Sequence, residues 1–459
     1  MREARGLHQG KSVDMTEGNV IYQLISFAIP ILLGQLFQSL YNSVDSIVVG
    51  NFVGTTALAA VTASGDISHL IVGFFTGLST GSSVLFARYF GSREYDRLHD
   101  AIHTALLFAV ILGLVMTVAG VSCAPVLLSI VDCPEDVYPE ALQYLRIYLF
   151  GVFLTSVYNV ASGVLRSVGD SKSPFYYLVT ASITNIVLDI LFVCGCKMGV
   201  AGVAIATVIS QLVSVTLVLS KMLHTSDVYK LIPGDLHINK QILKEVMALG
   251  LPAAVQTGLT SCSNLIVQRY MNGFGAAAMA GSGAAKKIDR YVGLIGQSLG
   301  LTTSTFVSQN MGARKPERAF KGIWSVMWMS FLAVVVLGVP IYYNADMFLR
   351  IFTAEPEAIG YGALMVHTMM PFYYFQSLHQ IFSNAVRGCG KSLVAMFTTI
   401  AGLIVCRQIY LAIAMAVDYN IENVFFAYPA GWICSSSFAI LYYWFVVHRS
   451  YSKKEDKQS

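Results

Sequence analysis

The sequence predicts an all-α polytopic membrane protein whose twelve transmembrane helices form two six-helix bundles related by a pseudo-twofold axis. Three observations predict it: an apolar composition, one half of the chain repeated in the other, and basic residues confined to one side. The 459 residues are 55% hydrophobic and 12% charged, with a mean hydropathy of +0.62. A soluble domain carries about 25% charged residues, so most of this surface is not built to face water. Met1 to Gly18 is polar, and the first apolar run lacks a small-residue cleavage site. The chain is therefore expected to insert through its own first span, without a removable leader.

The repeat is legible residue by residue. Ala87-Arg88-Tyr89-Phe90-Gly91-Ser92-Arg93 is answered by Ser308-Gln309-Asn310-Met311-Gly312-Ala313-Arg314, 221 positions later. Arg97 and Ile102 fall on Arg318 and Ile323, and Arg166-x-x-Gly169 falls on Arg387-x-x-Gly390, at the same offset. Early in each half the offset is 222, pairing Pro30 with Pro252 and Asn42 with Asn264. One module occurs twice, which in so apolar a chain is the pattern of a two-lobed membrane transporter. The expected domains are 1–225 and 226–459, joined through the polar stretch 221–242 with its Pro233-Gly234-Asp235.

About 20 apolar residues span a bilayer as a helix. Such runs lie near 20–46, 57–86, 98–124, 138–164, 174–194 and 199–222, and again near 243–269, 277–307, 319–343, 359–385, 393–416 and 423–447. Six spans per copy give both copies the same orientation. The charges agree with this count. Segments assigned to one side contain Arg2, Arg5 and Lys11, then Arg88, Arg93 and Arg97, and on through Arg449, Lys453, Lys454 and Lys457. Together they hold 22 of the 30 Lys and Arg. The opposite side has Lys197 and Arg350, and its loop after the third span is acidic (Asp132, Glu135, Asp136). Basic residues stay inside, so both termini are expected in the cytoplasm and the protein in the plasma membrane.

Several expectations are negative. The eight cysteines are scattered, apart from Cys194-Gly195-Cys196, and lack the company of a zinc site. No G-x-x-x-x-G-K-[ST] loop occurs, and the nine His are dispersed with no H-E-x-x-H. Neither ATP-driven chemistry, a membrane enzyme nor a nucleic-acid partner is expected, and no cofactor beyond a coupling ion.

Charges inside spans single out the candidate sites, because a carboxylate at mid-membrane costs roughly 2.5–3.5 kcal/mol on insertion scales. Asp189 in the fifth span has Asn185 four residues earlier, on the same helix face. Asp45 lies in the outer part of the first span, and Thr207 in the sixth adds a hydroxyl at comparable depth. Two carboxylates, an amide oxygen and a hydroxyl are hard ligands suited to Na⁺. The same pair, held close and desolvated, can instead share a proton, and hydrogen bonds that merely pin the helices are the structural alternative. In the eighth span, Lys286 or Lys287 is placed to pair with Asp289, so Lys287 and Asp289 are candidates for a second-bundle cavity. Arg407 in the eleventh span is a lone cation. Pro30 and Pro252 each remove a helix hydrogen bond and are candidate gating kinks.

Taken together, these residues resemble those of the MATE (multidrug and toxic compound extrusion) transporters, over most of the chain from Thr16 to His448. The carriers are Pro30 with Val44-Asp45-Ser46-Ile47 and Gly50, Gly91, Leu165-Arg166-x-x-Gly169-Asp170, Asn185-x-x-x-Asp189, and the second copies at Gly312 and Arg387-x-x-Gly390. The resemblance implies a V-shaped pair of six-helix bundles around a central cavity. It also implies export of cationic or amphipathic organic compounds, driven by inward flow of H⁺ or Na⁺. By position, Asp45, Asn185, Asp189 and Thr207 match the first-bundle cation site of prokaryotic members. Another branch keeps acids in spans seven and ten; here span seven offers Gln256, Ser261 and Asn264 and span ten no carboxylate. The expected function is a secondary-active multidrug and organic-cation antiporter, a functional monomer surrounded by membrane lipids. The alternative is a flippase for lipid-linked saccharides, a related two-bundle class.

Overall fold

The computed structural model describes residues 14–449 apart from Asp132, and leaves out the side chains of Ser46 and Asp66. Arg2, Arg5, Lys11, Asp132, Lys453, Lys454 and Lys457 of the charge pattern lie outside the described residues. All regular elements among the described residues are helical. Hydrocarbon offers the backbone no hydrogen-bond partner, so a spanning segment must satisfy its own N–H and C=O groups.

The first half contains α1 (Val20–Phe52), α2 (Thr55–Gly91), α3 (Tyr95–Ile130), α4 (Tyr138–Phe150), α5 (Val152–Ser167), α6 (Lys172–Asp189) and α7 (Gly199–His224). The second contains α8 (Lys240–Asn272), α9 (Ala276–Gly312), α10 (Pro316–Tyr343), the short α11 (Ala345–Leu349), α12 (Pro356–Met369), α13 (Tyr373–Gly388), α14 (Ser392–Thr399), α15 (Arg407–Val417) and α16 (Ile421–Tyr442). Several are parts of one rod. α4 and α5 meet at Gly151 with a 42° bend, and a 3₁₀ turn at Met370–Phe372 joins α12 to α13 around Pro371. π-helical turns extend α6 through Ile190–Gly195, link α14 to α15 through Ile400–Cys406, and extend α16 through Tyr443–His448. Six rods result in each half, as the spacing of apolar runs predicts.

Among the described residues eight helices are long and apolar enough to cross a membrane alone, and a ninth span results if the bent α4–α5 pair counts as one. α8 and α9 fall short in apolarity and not in length, at 33 and 37 residues. α8 carries Gln256, Asn264 and Gln268, and α9 carries Lys286, Lys287, Asp289 and Arg290. The spans hydropathy rejects are thus those that bring polar groups into the second half.

The repeat is written into the backbone as well. Residues with positive φ include Arg93 and Arg314 (60° and 57°), Gly54 and Gly275 (127° and 93°), and Gly169 and Gly390 (86° and 81°). Each pair is 221 positions apart. After α2, Ser92 N, Arg93 N and Glu94 N donate to Arg88 O, Phe90 O and Tyr89 O, and after α9 Ala313 N, Arg314 N and Lys315 N donate to Gln309 O, Met311 O and Asn310 O. An arginine in the left-handed region is unusual, so its recurrence means that the turn has been kept along with the sequence.

The chain forms two compact units. Of the described residues, unit 1 comprises Asp14 and Ile29–Ala254, and unit 2 comprises Met15–Ala28 and 255–449. Contacts therefore place 226–254 with unit 1 and Met15–Ala28 with unit 2, where a single division at 225 is expected from the sequence. In unit 1, α2 packs on α3, α4 and α5, α4 on α7, and α6 on α7. In unit 2, α9 packs in the same way on α10, α12 and α13, α12 on α16, and the α14–α15 rod on α16. The incoming segments are tied down by hydrogen bonds. In unit 1, Thr104 Oγ1 donates to His237 O (3.2 Å), Asn239 N donates to Thr104 Oγ1 (3.1 Å), and Tyr89 O–H donates to Glu245 Oε2 (2.6 Å). In unit 2, Met15 N donates to Gln309 Oε1 (3.0 Å), and Arg318 donates to Met15 O (3.2 Å) and Glu17 O (2.9 Å).

Close helix approach depends on small residues. A Cβ on Gly402, in the π turn between α14 and α15, would lie 2.3 Å from Ser435 N and Cα on α16. Backbone atoms cannot swing aside as a flexible side chain does, so Gly402→Ala should destabilise the purified protein by roughly 1–3 kcal/mol. A thermal unfolding midpoint in detergent unchanged from wild type would show that α16 is not packed this tightly.

Candidate ion and substrate sites

Unit 1 collects three of its four predicted residues as buried groups at one depth. Asp45 lies seven residues before the end of α1, Asp189 six before the end of the π turn that follows α6, and Thr207 eight after the start of α7. At 1.5 Å per residue each is about 10 Å in from the same end of the bundle. Asn185 and Asp189 are fully buried, and Asp45 and Thr207 nearly so. Asp45 and Asp189 interact with each other as side chains. Even so, among the described residues no hydrogen bond of ordinary geometry reaches either Asp189 oxygen, Asp45 Oδ1 or either end of the Asn185 amide. Thr207 donates its O–H to Val203 O (3.0 Å) in its own helix, which leaves the oxygen's lone pairs.

Orphaned buried oxygens are costly in an ordinary core, at about 1–3 kcal/mol each and more for charged groups. The two carboxylates and the amide oxygen are hard oxygens of the kind that suits a small cation or a shared proton, and the same amide carries an N–H₂ donor that also lacks a partner among the described residues. The π turn begins immediately after Asp189. Such turns displace a helix by one residue and recur at functional sites.

Sequence reasoning missed the tyrosines around this site. Tyr144 is buried on α4 within electrostatic reach of both Asp45 and Asp189, and Tyr41 and Tyr148 are within reach of Asp45. The Tyr144 and Tyr148 rings stack 6.1 Å apart with an interplanar angle of 17°. Their i, i+4 spacing on one helix face was the available signal, but aromatic residues are so common in this chain that it did not stand out.

In unit 2 the structure distinguishes the two lysines that the sequence offers as partners of Asp289. Lys287 is exposed, and its ammonium lies 5.1 Å from the centre of the Phe352 ring. Lys286 is the lysine within reach of Asp289, and its Nζ donates to Gln268 Oε1. Adjacent residues on a helix point about 100° apart, so only one of the two can face the acid. Asp289 Oδ1 accepts the O–H of the buried Tyr373 at 2.5 Å. Arg407 is buried: Nη1 donates to Asn264 Oδ1 (2.8 Å), Nη2 donates to Ser263 Oγ (2.5 Å), and its guanidinium lies 5.6 Å from the Tyr428 ring centre. Pro30 and Pro252 lie inside α1 and α8, each within two residues of the point where its helix passes from one unit to the other.

A duplicated twelve-rod membrane fold with buried, unpaired charge in its spans defines a helical transporter. The family model that matches is MatE, over residues 30–191 and again over 252–413, and the chain belongs to that family of transporters, which are not enzymes. It is similar to the "Probable multidrug resistance protein YoeA" of Bacillus subtilis, at 29% identity over 433 residues covering 92% of each chain. It is also similar to the "Probable multidrug resistance protein YpnP" of the same organism, at 27% identity covering 94% of this chain and 97% of the other. A solved structure described as an outward-facing multidrug resistance MATE family transporter superposes with a TM-score of 0.91. It has 22% identity and covers 97% of this chain and 99% of its own. The chain thus has the twelve-helix, two-bundle MATE fold.

The two lysines of α9 can be told apart by experiment. Tyr373→Phe leaves Asp289 without its charged hydrogen bond and should lower stability by roughly 1.5–3 kcal/mol. Lys287→Met should change it by less than about 0.5 kcal/mol, as surface substitutions usually do. Thermal unfolding in detergent gives both values, and equal losses would return Lys287 to the interior.

Proposed function

We propose that this chain is a secondary-active multidrug antiporter of the plasma membrane, with both termini in the cytoplasm. It exports small cationic or amphipathic organic compounds in exchange for inward H⁺ or Na⁺, and it works as a monomer. The observation that carries the reading is the Asp45–Asp189 pair, two buried and interacting carboxylates at one depth, three of whose oxygens find no well-formed hydrogen bond among the described residues. Printed names of the relatives as multidrug resistance proteins, and a family match over both halves, favour it over a saccharide-lipid flippase.

Asp45, Asn185, Asp189 and Thr207 are the proposed coupling site, for Na⁺ if the exchange is sodium-driven. Two ionised carboxylates side by side repel, so α1 and α6 come together only when a cation or a proton sits between them. Loading therefore biases the bundle toward one arrangement and release biases it toward the other. Coupling follows if the exported compound binds those two arrangements with different affinity. Pro30 and Pro252 weaken α1 and α8 where these helices change units, so bending there is the proposed gate.

The test is export of a fluorescent cationic dye from proteoliposomes under an imposed Na⁺ or pH gradient. Wild type should respond to one gradient, and Asp189→Asn should lose at least about tenfold of that gradient-driven rate, the usual reach of a lost charged contact. Coupling unchanged in the variant would remove Asp189 from the cycle. Pro30→Ala should slow export without changing which gradient drives it, and an unaltered rate would argue against a gate at that proline.

A further inference from the structure

The repeat sets a cation of unit 2 where unit 1 has a neutral amide of its acidic cluster. At offsets of 221 or 222, Asn42 corresponds to Asn264, Asn185 to Arg407 and Thr207 to Tyr428. The three unit 2 residues meet: Arg407 donates to Asn264 Oδ1 and lies over the ring of Tyr428. Where unit 1 buries carboxylates, unit 2 buries a guanidinium that is 2% exposed and whose Nε has no partner among the described residues.

A second cation is held one helical turn further along α8, Arg407 bonding Asn264 and Lys286 bonding Gln268. Lys286 lies ten residues from the start of α9, and Arg407 ten residues from the end of α15, at the same end of the bundle. Both are therefore about 15 Å deep. Lys286 is within electrostatic reach of Arg407 and is held by the neutral amide of Gln268. Among the described residues neither cation has a carboxylate within ion-pairing distance. Asp289, the acid closest in sequence, already accepts the Tyr373 O–H. Asp289, within electrostatic reach, offsets part of the Lys286 charge, but the buried Arg407 guanidinium is supported only by an amide, a hydroxyl and an aromatic ring, a burial that a bound anion would relieve. A planar guanidinium beside an ammonium is also a suitable pair for gripping a carboxylate or phosphate. Asn264 is exposed and Lys286 half-buried, which gives a ligand an approach to the buried guanidinium.

We propose that unit 2 holds a subsite for an anionic group, a carboxylate or phosphate, formed by Lys286 and Arg407 and held in shape by Asn264, Ser263 and Gln268. The proposal rests on the transporter reading above. It narrows the exported compounds to amphipaths that carry a negative group beside any positive one.

The experiment is equilibrium binding to the purified full chain in neutral detergent, read by fluorescence polarisation. One rhodamine dye is used in two forms, the free carboxylate and its methyl ester. The carboxylate form should bind wild type at least about tenfold tighter than the ester, the scale of a desolvated charge pair. Arg407→Gln and Lys286→Gln should each remove most of that preference and leave ester binding within about twofold, which also shows that the variants are folded. Arg407→Lys, which keeps the charge, should retain part of it.

Competition identifies the source of the anion. If phosphatidylglycerol displaces the carboxylate dye where phosphatidylcholine does not, the subsite takes a lipid headgroup; if neither displaces it, the subsite takes a solute. Equal affinity for the two dye forms, equal effects of the variants on both, or binding of neither form would overturn the subsite. The antiport reading is judged separately by gradient-driven dye movement, which a protein with no carboxylate preference can still perform.

Discussion

Charge inside a membrane span has to be compensated from within the protein, and this cost governs where polar residues lie in the chain. Unit 1 meets it with an acid pair whose oxygens remain unsatisfied. Unit 2 meets it with donors and acceptors: Arg407 rests on Asn264 and Ser263, and Arg387 on Asn384 (2.9 Å) and Gln256 (2.7 Å). Part of the polarity that makes α8 a poor span by composition is the supporting shell of those cations. Replacing Gln256 or Asn264 by an apolar residue would raise the hydropathy of α8 and strand a buried guanidinium at the same time, so the two properties cannot be improved together.

The duplication separates scaffold from chemistry. Left-handed residues, turn hydrogen bonds and helix pairings recur at a fixed offset, whereas the side chains at equivalent depths do not. A turn that needs positive φ tolerates few residue types, and small residues at close crossings tolerate fewer still. A polar group facing the bundle interior is restrained only by its partners, and those can change along with it. One backbone plan can therefore carry an acceptor-rich cluster in one copy and a donor-rich cluster in the other.

Most of the architecture was legible in the sequence, because apolar length and loop charge are linear properties. The six-plus-six count, the offset of the repeat, the prolines and the acids Asp45 and Asp189 could all be read without coordinates. What could not be read depends on side-chain direction or on distant contacts. Lys286 and Lys287 differ by one helical step, and sequence alone does not fix the phase of a helix whose polar residues occur on several faces. That Asp289 is met by Tyr373, 84 positions away, has no local signature. The π turn after Asp189 left no mark, since Ile190 to Gly195 reads as ordinary apolar helix. The exchange of leading segments was hidden for a related reason: residues 226–254 read as a linker and the start of a span, whichever unit they pack against.

That exchange has a consequence for how the protein is made. A ribosome that has just released residue 225 has synthesised six spans, yet unit 1 still lacks the segment that supplies His237, Asn239 and Glu245 to its turns. Unit 2, in its turn, is completed by Met15–Ala28, among the first residues to emerge. Neither unit can finish folding while the chain is only half synthesised. The nascent first bundle must wait in the membrane for residues 226–254, and the amino-terminal segment must wait for a partner that does not yet exist.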